Sequence, residues 1–152
     1  MPNLTSKALL VTCATLALCV MAGCPFRVIF PTAMQTTSQD YEIDNSKIKI
    51  TVVFNKAVDM SSLVAGTNVI LVTEKDANAD INITAGTTPA DVVITSVDDY
   101  GDLLTFDPDG FFTLRLRGSG ANPIESSDGD ILDGDGDGAA GGDYQTSFAL
   151  IG

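Results

Sequence analysis

The sequence contains no histidine and no tryptophan. Without histidine, the chain cannot form a Ser-His-Asp triad, a Cys-His pair or a histidine-ligated catalytic metal centre. It also lacks a Walker motif for phosphate binding and a dinucleotide-binding glycine fingerprint. Paired carboxylates remain as a means of hydrolysis, but the acidic residues fall in turns of a small domain with no evident sugar cleft. We therefore expect that the protein is not an enzyme, and a carboxylate-based hydrolase is the remote alternative.

Basic residues are scarce, because 8 lysines and arginines stand against 20 aspartates and glutamates, for a net charge of −12. A nucleic-acid-binding protein needs a clustered basic surface, so nucleic acid is excluded as a partner. The hydrophobic share of 45% is too high for a disordered acidic tail. A chain of 152 residues is long enough for one domain with a buried core.

The first 24 residues have the layout of a signal peptide. Lys7 precedes an uncharged run from Ala8 to Ala22, and the run ends at Gly23 and Cys24. A small residue followed by cysteine resembles the bacterial lipobox, so we predict a helical lipoprotein signal peptide over 1–23 and lipidation of Cys24. A plain secretory signal and an N-terminal transmembrane helix remain open, although the apolar run is short of the about 20 residues that span a membrane.

Cysteine is confined to this segment, at Cys13, Cys19 and Cys24. Cleavage before Cys24 would remove two of the three thiols, and acylation would modify the third. The lipoprotein interpretation predicts an extracytoplasmic protein whose N-terminal lipid binds a membrane. Pro25 is not the aspartate that retains lipoproteins at the inner membrane in enteric bacteria, which favours the outer membrane if the cell has one.

The chain after Cys24 has the pattern of short strands separated by turns. We expect residues 24–45 to contain the lipidated cysteine, a tether and a candidate first strand, with a loop over the polar residues 35–40. Alternating apolar residues predict a clear strand over Lys47–Phe54. Further strands are predicted over 68–73, 80–84, 91–97, 103–106, 111–117 and 144–151. About seven strands predict an all-β, Ig-like antiparallel β-sandwich, with a barrel as the alternative.

An acidic, glycine-rich loop over 128–143 precedes the last predicted strand. Asp133, Asp135, Asp137 and Gly138 match positions 1, 3, 5 and 6 of an EF-hand calcium loop, whereas position 12 is Tyr144 rather than glutamate. Crowded carboxylates repel one another, and a divalent cation relieves that repulsion. We therefore predict bound calcium, with ligands drawn from Asp133, Asp135, Asp137, Asp143, Asp128 and Asp130. The alternative is a solvated loop in which Asp and Gly only favour turns.

A second acidic group occupies two successive predicted turns. Its members are Asp98, Asp99, Asp102, Asp107 and Asp109. We interpret them as ordinary turn residues rather than as a second cation site. Arg115 and Arg117 share the outward face of one predicted strand, where we expect them to pair with acidic neighbours.

Four segments resemble bacterial Ig-like domains of the S-layer-protein (SbsA-like) type. They are Ile48–Leu63, with its Phe-Asn-Lys-Ala-Val-Asp run, Leu103–Pro108, Phe112–Gly118 and Ile131–Phe148, and together they cover most of 46–148. The resemblance implies an Ig-like sandwich over 46–152 that serves as a structural, spacer or adhesion module at a bacterial surface.

These inferences together predict a non-catalytic, lipid-anchored module of the cell envelope that calcium stabilises. Its expected partners are the membrane, through the lipid, and a protein or polysaccharide at the cell surface. The alternative is a carbohydrate- or polymer-binding accessory module. Exposed aromatic side chains on one face would favour that function, and the candidates are Tyr41, Tyr100, Phe111 and Tyr144.

Overall fold

The computed structural model describes residues 33–73, 75–100 and 111–149. The predicted signal peptide, Cys24 and the predicted strand over 103–106 lie outside these residues. The chain divides into two units, 1–30 and 31–152, and every described residue belongs to the second. No helix in the described ranges is both long enough and apolar enough to cross a membrane.

The described residues form seven β-strands in two antiparallel sheets, which confirms the predicted all-β sandwich. The strands are β1 (Thr36–Asp44), β2 (Lys47–Phe54), β3 (Val69–Val72), β4 (Ile81–Ala85), β5 (Asp91–Ser96), β6 (Phe111–Arg117) and β7 (Asp143–Ala149). One sheet has the order β1-β2-β5-β4, and the other has the order β3-β6-β7. A single 3₁₀ turn, Met60–Ser62, follows Asp59, whose carboxylate accepts a hydrogen bond from the Ser61 backbone N–H at 2.9 Å.

The core lies between the two sheets, where the alternation of each strand places its apolar side chains. In β2, Ile48, Ile50 and Val52 are fully buried, while the lysines and threonine between them face outward. From the other sheet, Leu114 and Leu116 of β6 join the same buried cluster. Each fully buried aliphatic side chain contributes about 1.5–3 kcal/mol relative to an exposed one.

Strand β1 corrects the predicted loop over 35–40. It pairs antiparallel with β2 along its length, with a bulge between Thr36 and Ser38. The polar side chains of this segment predicted a loop. They are compatible with a strand because an edge strand has a neighbour on one side only and buries few side chains. One exception is Tyr41, whose ring stacks on Phe148 of β7 at a centroid distance of 4.0 Å. The first strand is therefore packed into the sandwich.

Three fully buried apolar side chains lie outside the strands and tie the connecting segments to the core. They belong to Met34, Ile124 and Leu132. Met34 and Leu132 form a parallel bridge, and the Leu132 N–H donates to the Ile124 carbonyl at 2.9 Å. The residue just before Asp133 in the acidic loop is therefore buried and hydrogen-bonded.

Candidate metal centre

Backbone hydrogen bonds close the acidic loop at its base. The Gly141 N–H donates to the Leu132 carbonyl, and the Gly134 N–H donates to the Gly141 carbonyl, both at 2.9 Å. The Gly118 N–H, just after β6, donates to the Gly142 carbonyl at 2.9 Å. Residues 135–140 are therefore held as a protrusion whose two ends are fixed beside the start of β7.

Two glycines at the base allow this close approach. A Cβ on Gly134 would lie 2.3 Å from the backbone nitrogen of Tyr144. A Cβ on Gly142, which has φ +71°, would lie 2.5 Å from Cγ of Asp135. Neither position has room for a side chain, so the carboxylate of Asp135 lies directly against the backbone of the returning segment.

The loop brings three carboxylates together. One oxygen each of Asp133, Asp135 and Asp137 lies within 4.8 Å of the others. Asp133 is buried, with 3% of its surface exposed, and the other two side chains are exposed. A group that is buried on one side and open on the other could hold a metal ion that also keeps bound water.

Asp133 is the most constrained of the three. Its Oδ1 accepts from the Gly136 N–H at 2.8 Å, and its Oδ2 accepts from the Gly138 N–H at 3.0 Å and from Nε2 of Gln35 at 2.6 Å. The Gln35 hydrogen bond is the largest cause of a lowered Asp133 pKa. The two backbone N–H groups add to it, while burial acts in the opposite direction. Asp133 is therefore a carboxylate at neutral pH.

The other three aspartates predicted as ligands have different surroundings. Asp143 Oδ1 accepts from the Ser119 hydroxyl at 2.6 Å, and Asp130 Oδ2 pairs with Nζ of Lys56 at 2.5 Å. Asp128 is exposed. Within the part of the chain that the structure describes, the converging group contains Asp133, Asp135 and Asp137.

Two residues at the start of β1 line the site and were not predicted from the sequence. Gln35 and Thr36 line a cavity of about 310 Å³ together with Asp133, Asp135 and Tyr144. The Thr36 Oγ1 atom is buried and makes no hydrogen bond with any described residue. No local signal could identify these residues, because Gln35 lies 98 positions before the carboxylate that it contacts.

The remaining sequence candidates do not form a second site among the described residues. Asp99 lies 3.7 Å from Nζ of Lys47 in an exposed ion pair, and 102, 107 and 109 lie outside those residues. Arg115, which we expected to pair with an acid, donates from Nε to the side-chain oxygen of Gln145 at 3.2 Å.

The four candidate aromatics do not form a shared binding surface. Tyr100 is buried and packs edge-on against Phe112 at 5.8 Å. Tyr41 and Tyr144 are half-buried, and Phe111 is 61% exposed. Exposed aromatics on one face would favour a carbohydrate-binding module, and of these four side chains Phe111 is the exposed one.

No protein-family model matches the chain, and no curated protein matches it. Among solved structures, the fold is similar to the N-terminal part of the bacterial S-layer protein SbsC. The sequence identity is 14% and the TM-score is 0.48, and the match covers 96% of this chain and 29% of that one. This chain therefore spans less than a third of the length of that protein's crystallised part. A similarity at this level identifies neither a family nor a function.

Proposed function

We propose that this protein is a non-catalytic, lipid-anchored module of the cell envelope, and that a calcium ion bound by the acidic loop stabilises its β-sandwich. The observation that carries the proposal is the convergence of Asp133, Asp135 and Asp137, of which the first two line a cavity open to solvent. The role that we propose for the ion is structural.

Calcium suits this site better than the other common cations. It takes six to eight oxygen ligands in flexible geometry, whereas magnesium demands a near-ideal octahedron. The three carboxylates supply the charge. The Thr36 hydroxyl, which lines the same cavity, offers a neutral oxygen, and water completes the shell. Zinc favours nitrogen and sulfur ligands, and this group has neither.

The ion would act as a brace between segments that are distant in sequence. The acidic loop is continuous with β7, and its base is bonded to the residues after β6 and, through Asp133, to Met34 and Gln35 before β1. A cation on the three carboxylates removes their mutual repulsion and links these segments. Binding to the folded state alone stabilises it by about 2.7 kcal/mol when calcium is at 100 times the dissociation constant.

Anchoring follows from the sequence of the first 24 residues. A lipid on Cys24 would attach the module to a membrane, and the residues up to Ala33 would separate the lipid from the sandwich. The placement of Tyr41 and Tyr100 in packing contacts supports a spacer or structural role over polymer binding.

Calorimetric titration of the full chain with calcium, and thermal melting with and without a chelator, test the metal. We expect binding heat and a higher melting temperature with calcium, and loss of both in the Asp135→Asn, Asp137→Asn double variant. Asp128→Asn is the matched control, because it removes one exposed charge from the same loop outside the group. No heat at millimolar calcium and an unchanged melting temperature would refute the calcium site.

The intact mass of the chain extracted from membranes tests the anchor. Cleavage before Cys24 and an acyl mass on that residue are expected. A Cys24→Ser variant should be recovered without the acyl mass. A wild-type chain with no acyl group on Cys24 would overturn the lipoprotein assignment and leave the calcium proposal intact.

A further inference from the structure

The sequence Asp80-Ile81-Asn82-Ile83-Thr84 begins one residue before β4 and runs into that strand. Asparagine followed by a residue other than proline and then by threonine is the acceptor sequence for N-linked glycosylation, which in a secreted protein marks a surface position. An acidic residue two positions before the asparagine, which bacterial oligosaccharyltransferases read in addition, is present as Asp80. The chain has one other such triplet, at Asn3, which lies within the predicted signal peptide.

The strand geometry places the whole acceptor on the solvent side. Side chains two apart on a strand share a face, so Asn82 and Thr84 of β4 form one row, and both are exposed. Asp80, immediately before the strand, is exposed as well. Ile81 is buried on the opposite face. The polar residues of the acceptor sequence are therefore exposed to solvent together. Ile81 and Ile83, which lie between them, pack against the core.

Asn82 also has a free side chain, unlike Asn45, Asn55 and Asn68. Its carboxamide makes no hydrogen bond with any described residue. By contrast, Asn68 is buried and donates to the carbonyls of Ser62 and Asn122. Asn55 accepts from the Gln35 N–H at 2.7 Å. A group attached to Asn82 would break no contact, whereas a group on Asn68 or Asn55 would.

β4 lies at the edge of its sheet. In the order β1-β2-β5-β4 it pairs with β5 alone, with Asn82 opposite Thr95. An edge strand exposes backbone groups that can pair with another chain, and proteins protect such edges with charges or bulky cover. A glycan rooted in the middle of β4 would supply that cover.

We propose that Asn82 is a site of N-linked glycosylation and that the glycan shields the β4 edge. In the transfer, Nδ2 of Asn82 forms a bond to the anomeric carbon of a sugar carried on a polyprenyl pyrophosphate. The bond from that carbon to the pyrophosphate oxygen breaks, the lipid pyrophosphate leaves, and the enzyme's base takes the amide proton. The inference rests on the export inferred under Proposed function, because the lipid-linked sugar is used outside the cytoplasm.

Transfer to the full chain in detergent, with a purified bacterial oligosaccharyltransferase and a lipid-linked oligosaccharide, tests the site without export. Peptide mass spectrometry should find the glycan on Asn82. Transfer should be lost in Asn82→Gln and Thr84→Ala and weakened at least severalfold in Asp80→Ala. Asn78→Gln changes an exposed asparagine outside the acceptor sequence, and it should leave transfer unchanged.

Because a paired strand can resist the enzyme, co-expression with the same glycosylation system tests transfer during export. Signal cleavage in the recovered chain reports export independently of the glycan. An exported chain without a glycan on Asn82, together with no transfer in detergent, would overturn the proposal. A chain that is glycosylated in detergent but never exported would support the site and refute the envelope location.

Discussion

Gln35 donates a hydrogen bond from Nε2 to Oδ2 of Asp133 at 2.6 Å, joining the start of β1 to the acidic loop across 98 positions of the chain. This hydrogen bond is the largest cause of the lowered pKa of Asp133, the buried carboxylate of the candidate metal centre. It also makes the segment before β1 part of the site, because the Asp133 N–H donates to the Met34 carbonyl at 2.7 Å.

Replacing Gln35 with alanine should raise the Asp133 pKa and lower the melting temperature. The carboxylate loses its strongest donor, and a hydrogen bond to a charged group is stronger than one between neutral groups. We expect a decrease of roughly 4 °C in scanning calorimetry, on the scale of about 4–8 °C per kcal/mol for domains near 100 residues. Gln39→Ala, in the exposed row of β1, is the control and should leave the melting temperature unchanged.

The Asp133 carboxylate should make stability depend on acid pH. Its folded-state pKa lies below the usual 3.8, so the unfolded chain binds the proton at higher pH than the folded chain does. The stabilisation is therefore complete above about pH 5 and is lost as the pH falls through 3.8 and then through the folded-state pKa.

Melting curves from pH 7 to pH 3 measure this effect. Asp133→Asn should melt below the wild type at pH 7, and the difference should shrink toward pH 3. Asp59 also has a lowered pKa, caused first by its hydrogen bond from the Ser61 side chain. The Asp59→Asn variant therefore shows how much of the pH dependence of the melting temperature comes from Asp59 rather than from Asp133. If the difference in melting temperature between the wild type and Asp133→Asn stays constant from pH 7 to pH 3, the lowered pKa of Asp133 is contradicted.

Alanine at Gly142 should disrupt the metal centre, whereas alanine at Gly136 should only strain the backbone. The two glycines have nearly equal φ angles, +71° and +73°. Alanine in this left-handed conformation therefore lowers the free energy of unfolding by about 1–2 kcal/mol at either position. A Cβ on Gly142 would also meet the Asp135 carboxylate, and a Cβ on Gly136 meets nothing within 4 Å. Calorimetric titration should show weaker calcium binding for Gly142→Ala than for Gly136→Ala. Equal affinities would mean that the position of Asp135 does not matter to the ion.

Tyr41→Ala should destabilise the sandwich, because it removes the ring that β1 stacks on Phe148. Aromatic pairs contribute about 0.5–1.5 kcal/mol beyond the area that they bury. Tyr41→Phe keeps the ring and loses only the contact between the hydroxyl and Thr146 Oγ1 at 3.2 Å, so it should cost less. Urea unfolding of the full chain distinguishes the two. If both variants unfold like the wild type, β1 does not contribute to the stability of the domain.

Local sequence was sufficient wherever neighbours along the chain define the structure. The alternation in Lys47–Phe54 determines which side chains are buried, because successive residues of a strand face opposite sides. The alternate spacing of Asp133, Asp135 and Asp137 in a glycine-rich loop likewise indicated that their carboxylates lie close together. The all-β class, most strand positions and the three-carboxylate group could therefore be predicted.

Tertiary structure decided the features that depend on distant partners. Residues 36–40 are a strand because β2 supplies the hydrogen bonds of their backbone, which their polar side chains do not reveal. Asp143 accepts a hydrogen bond from Ser119, and Asp130 forms an ion pair with Lys56. These partners become close only when the chain folds. Gln35 and Thr36 enter the metal centre for the same reason. The sequence determines which nearby residues a carboxylate can contact. Which distant residues it contacts is determined only by the packing of the folded sandwich.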